Sequence, residues 1–127
     1  MKRMTTVLAA AALLLAVSVP AVLAAGGTRV ALKPAKAFPV AKGSATFKAK
    51  GGERELEAEV EHIRRLAGRR VVFSVAGKKV GVAKVSRLGA AHISRNSERG
   101  QLVPSVGAGT AVKVRTTGGV LIVSGSF

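Results

Sequence analysis

Between Glu53 and Glu61 every second residue is glutamate, and Leu56, Ala58 and Val60 stand between them. A period of two belongs to a strand with one wet face and one buried face, because successive side chains point to opposite sides of a sheet. The same stretch also has a helical period. Leu56, Val60, Ile63 and Ala67 recur at spacings of four, three and four, Gly68 stands where a helix would cap, and Glu61 precedes Arg65 by four. The charges decide between the two. On a helix the glutamates spread around most of the circumference, with repulsive pairs between Glu53 and Glu57, Glu55 and Glu59, and Glu57 and Glu61. On a strand they form one solvated row that Lys48 and Lys50 can neutralise from a neighbouring strand. Residues 53–66 are therefore read as strand, against intrinsic propensity, which favours helix.

The rest of the chain supports that context, with turn signals every 8 to 12 residues or so from Ser44 onward. Phe47 alternates with Lys48 and Lys50 before the turn Gly51-Gly52. Val71, Phe73 and Val75 share a face before the hairpin turn Ala76-Gly77-Lys78. Val80, with Val82 or Val85, returns against the core; Leu88-Gly89 turns; Ala91 and Ile93 point inward. Residues 96–111 are polar and rich in Gly, Ser and Pro, with Gln101 to Pro104 expected across one end of the fold. Val112 and Val114 alternate with Lys113 and Arg115, Thr117-Gly118-Gly119 turns, Val120 to Val123 reads as a central strand, and Phe127 is expected to be buried. Seven or eight short strands make a single β-domain over residues 45–127. The predicted fold is all-β, an immunoglobulin-like antiparallel β-sandwich, with a Greek-key barrel, or α+β if residues 53–66 are helical, as alternatives. Residues 25–44, interrupted by Pro34 and Pro39, read as an extended lead-in in which Thr28 to Leu32 adds at most an edge strand.

Residues 1–24 read as a signal peptide. Lys2 and Arg3 precede an uncharged run from Val7 to Val19, Pro20 breaks it, and Val22-Leu23-Ala24 offers a cleavage site after Ala24, with Ala25 nearly as good. The run is long enough to approach a membrane span, but it is Ala-rich, contains Ser18 and lacks a following basic cluster. No cysteine follows for a lipid anchor, and no Arg-Arg pair precedes for the twin-arginine route. The expectation is a secreted protein, periplasmic or extracellular, with no transmembrane segment after cleavage. Without cysteine, it must be stabilised by packing and not by disulfides.

The runs Leu66-Ala67-Gly68, Val75-Ala76-Gly77, Leu88-Gly89-Ala90-Ala91, Ser97 to Pro104, Val112 to Arg115 and Ser124-Gly125-Ser126-Phe127 resemble a group of small, uncharacterised secreted bacterial all-β proteins. The resemblance covers most of residues 45–127. It implies a compact β-domain behind a signal peptide and transfers no catalytic or ligand residue.

Chemistry is sparse. A metal site would have to use His62 and His92 with Glu61 or Glu98, and these lack any tight ligand spacing. Ser94 stands two residues from His92, with Glu98 beyond, but no nucleophile elbow surrounds it. Gly77-Lys78 and Gly107-Ala108-Gly109 lack the remaining residues of a phosphate loop or dinucleotide fingerprint. The expectation is no enzyme, no cofactor and no metal. What remains is charge. The formal net charge of +15 falls by two when Lys2 and Arg3 leave with the signal, and five of the six acids sit in the glutamate row. Candidate residues for binding a polyanion are Arg64, Arg65, Arg69, Arg70, Lys78, Lys79, Arg95, Arg99, Lys113 and Arg115. The expected partner is an anionic cell-surface polymer or an envelope protein, the latter reached through the glutamate row or a sheet edge. With four Phe and neither Trp nor Tyr, no stacking platform supports sequence-specific nucleic-acid binding.

Overall fold

The computed structural model describes residues 21–24 and 27–127, with side chains from Gly27 onward. Most of the expected signal peptide, residues 1–24, and the alternative cleavage point at residue 25 lie outside the described residues. Nine strands follow in order: β1 (Ala21–Ala24), β2 (Gly27–Pro34), β3 (Lys42–Lys50), β4 (Glu53–Glu61), β5 (Arg70–Val75), β6 (Lys78–Lys84), β7 (Ala91–Asn96), β8 (Ala111–Thr116) and β9 (Leu121–Ser126). The described residues contain no α-helix, only short 3-10 turns at Arg64–Leu66 and Ser97–Arg99, and thus no helix long and apolar enough to cross a membrane.

All pairings are antiparallel, and eight strands run in the order β6-β5-β8-β9-β2-β3-β4-β7, with β1 added beside β2. The ends of that path meet, giving one nearly closed, barrel-like sheet. Register shifts in the β5–β6 pair at Phe73/Ser74 and in the β8–β9 pair at Val114/Arg115 supply the curvature that closure needs. The last gap, between β6 and β7, is spanned by a side chain: Arg95 Nε donates to the Val80 carbonyl at 2.9 Å. Its guanidinium lies over Gly81, where an added Cβ would stand 2.7 Å from Nη2.

The alternation read from the sequence sets which side chains fill the barrel. Leu56, Ala58 and Val60 of β4, Val71, Phe73 and Val75 of β5, and Val112 and Val114 of β8 are all buried, and no polar or charged residue among the described residues is buried with them. Val85 closes the β6 end, leaving Val82 partly exposed. Val103 is buried across one end, held where Arg54 Nε donates to its carbonyl at 2.8 Å. Phe127 is half-buried, its ring edge-on to Phe47 at 6.4 Å.

Three local expectations change. The central strand read as Val120 to Val123 begins at Leu121, which leaves Val120 exposed in the turn before it. The strand of residues 53–66 stops at Glu61, where His62 takes a φ of 63° and turns the chain into the Arg64–Leu66 3-10 turn, so the helical alternative is not adopted. Residues 25–44 are more than a lead-in with an edge strand. β2 is flanked by β3 on one side and by β1 and then β9 on the other, while Val30, Leu32, Phe38 and Ala41 are core residues. Pro34 is tolerated because it is the last residue of the strand.

Candidate functional site

The pairing register assembles a basic face on the outside of five adjoining strands. Lys79 of β6 lies opposite Ser74 of β5, Ser74 opposite Lys113 of β8, Lys113 opposite Ser124 of β9, and Ser124 opposite Lys33 of β2. Lysine and serine therefore alternate across the sheet in one row. Because strands are spaced by ~4.8 Å, successive lysine backbones stand about 10 Å apart. Closer to the β5 N-terminus, Arg70 pairs with Lys84, and Arg115 lies opposite Val72 and Leu121. None of these strands carries a carboxylate.

The acids lie elsewhere. Glu55, Glu57, Glu59 and Glu61 project from the outer face of β4, opposite Lys48, Thr46, Ser44 and Lys42 of β3 on one side, while Glu55, Glu57 and Glu59 face Asn96, Ser94 and His92 of β7 on the other. In an eight-strand ring β4 is four places from β8, so the acidic stripe and the basic face look in opposite directions. Among the described residues the glutamates form no ion pair with a lysine or arginine; Glu61 stands 3.8 Å from the His62 imidazole. Crowding has an electrostatic effect within the row. A hydrogen bond to the Glu61 side chain, followed by burial and the Glu61 charge, raises the Glu59 pKa, with His92 and Arg29 opposing.

The candidate residues divide accordingly. Arg70, Lys79, Lys113 and Arg115 are brought together on the basic face, with Lys78 at its hairpin tip beside the Ala76-Gly77 turn. Lys33 and Lys84 join them through register alone, a relation no single stretch of sequence displays. Arg64, Arg65 and Arg69 sit at one end of the barrel, where the Arg65 guanidinium covers the Phe38 ring at 4.2 Å and donates to the Ala37 carbonyl. Arg95 is taken up by the seam, and Arg99 lies in the Ser97–Arg99 turn at the opposite end from Arg64. His62 is exposed on its turn and His92 is exposed on β7, opposite Glu59 in the register, and the described residues contain no group of three metal-ligating side chains. Ser94 and His92 share the outer face of β7, with Glu98 on the following turn.

No family model, curated protein or solved structure matches the chain.

Proposed function

We propose that this is an exported, non-catalytic β-barrel domain of partly open Greek-key form that binds anionic polymers of the cell envelope or matrix through its basic face. The barrel form is supported by the crossing of chain order in the sheet, where β4 pairs with β7 and β5 with β8. The binding function is supported by one observation above all: the alternating row Lys79, Ser74, Lys113, Ser124, Lys33 on a face that carries no acid. Lysine backbones held about 10 Å apart on paired strands meet a linear polyanion with only their side chains left to order, and the hydroxyls between them donate to its oxygens. Binding releases counterions and therefore weakens steeply with salt. Lipopolysaccharide, teichoic acid, acidic exopolysaccharide and extracellular DNA all offer such chains. The protein is expected to stay on immobilised heparin and on immobilised lipopolysaccharide above physiological ionic strength. Elution from both at or below physiological salt would contradict the proposal.

A further inference from the structure

Because neighbouring strands alternate in direction, the connections β2–β3, β4–β5, β6–β7 and β8–β9 emerge together at one end of the barrel. Among the described residues five large apolar side chains are exposed, and three of them sit on these connections: Val40 at 72%, Leu88 at 77% and Val120 at 48%. They project from three different loops, so the clustering is not the by-product of one apolar segment. The β2–β3, β4–β5 and β6–β7 connections are tied to one another, and β2–β3 is tied also to strand β9. Ala35 N donates to the Ile122 carbonyl at 2.9 Å, Arg65 donates to the Ala37 carbonyl, and Ile63 N donates to the Gly89 carbonyl at 3.0 Å. Gly89 is pressed so closely on the next loop that a Cβ there would lie 2.6 Å from the Arg64 nitrogen. The apolar tips are thus presented on a braced rim. A hollow of about 350 Å³ between residues 37–40 and 62–65, lined by Phe38, Val40 and Ile63 among others, extends the apolar surface inward.

The formal charge on these connections is of one sign, and Glu61, the last residue of β4, borders them 3.8 Å from His62. Lys36, Arg64, Arg65, Arg69 and Arg87 occupy three of these four connections, β2–β3, β4–β5 and β6–β7, and none of the four contains Asp or Glu. A flat polyanion has no use for exposed valine and leucine, and an apolar protein partner has no use for five cations. A lipid surface with anionic headgroups uses both: apolar side chains enter the boundary between headgroups and acyl chains, and cations stay at the phosphates. From this combination we infer that this end of the barrel docks on anionic lipid bilayers, with Val40, Leu88 and Val120 inserted and the arginines on the headgroups. The inference does not depend on the basic face, whose lysine row faces sideways from the barrel.

Native cysteine is absent, so a single introduced thiol reports on its own surroundings. Leu88→Cys and, at the opposite end of the barrel, Leu102→Cys replace similarly exposed leucines and can each carry an environment-sensitive fluorophore. With phosphatidylglycerol vesicles the label at position 88 is expected to shift to the blue while that at position 102 does not, and phosphatidylcholine vesicles are expected to leave both unchanged. An unchanged position 88 on phosphatidylglycerol, or equal shifts at the two positions, overturns the docking geometry. An equal shift at position 88 on both lipids overturns the role of the arginines. None of these outcomes bears on heparin retention, so the two proposals fail separately.

Discussion

At the scale of single residues, the glutamate row shows how one spacing both specifies a strand and strains it electrostatically. Glu59 and Glu61 stand two apart on one face of β4, and their interaction keeps the Glu59 carboxyl protonated to higher pH than its ordinary value of 4.5. A carboxyl whose pKa is raised by folding binds its proton more tightly in the folded state. The folded protein therefore loses stability as pH rises above 4.5 through the raised value. Glu59→Gln removes that loss. The variant is expected to melt slightly above the parent at pH 7, and the difference is expected to shrink away as pH is lowered below 4.5. A lower melting temperature for the variant at pH 7 would show that the Arg29 and His92 attractions prevail. The strand itself was legible because the charge spacing ruled against a helix, but its end was not. His62 continues the alternation by type, and only the positive φ imposed by the turn takes it out of the sheet. Arg95 hides its seam contact for the opposite reason. Its sequence neighbourhood is polar, and nothing local reveals that its guanidinium would meet a carbonyl from β6.

At the scale of elements, the contact of β6 with β7 is the weakest part of the ring, because it replaces a ladder of backbone bonds with one arginine. Val80 is buried, and without Arg95 its carbonyl loses the donor it has in the folded state. Leaving such a group unpaired costs about 1–3 kcal/mol. Arg95→Ala is expected to lower stability by about that amount and to speed amide exchange in β6 and β7 more than in β3 and β4. Uniform acceleration across all four strands would mean that Arg95 is not a local clasp. Strand positions, turns and inward residues were largely readable, since alternation and glycine-bearing turns are local properties. β2 was underestimated because Pro34 and Pro39 suggested an interrupted segment, whereas one proline ends the strand and the other lies beyond it. Which strands pair across the ring is a non-local matter, and there the sequence offers glycine spacing but no partner.

At the scale of the whole molecule, closure converts a chain whose acids are condensed into one segment into a body with two electrostatic sides. β4 faces away from β8, so the net positive charge is concentrated on the β6-β5-β8-β9-β2 face instead of being spread evenly. Five of the ten candidate arginines and lysines named from local clusters lie on this face, but the lysine-serine row exists only once five strands are in register. The central claim is that the row, and not net charge, is what binds. Two triple variants of equal charge separate these: Lys33, Lys79 and Lys113 to Ser on the basic face, and Lys42, Lys48 and Lys50 to Ser beside the glutamate row. Heparin affinity is to be measured for both and for the parent across a series of salt concentrations. The first variant is expected to bind at least about tenfold more weakly at low salt and to lose about three from the slope of log affinity against log salt, while the second stays close to the parent. Equal losses in the two variants would contradict the account.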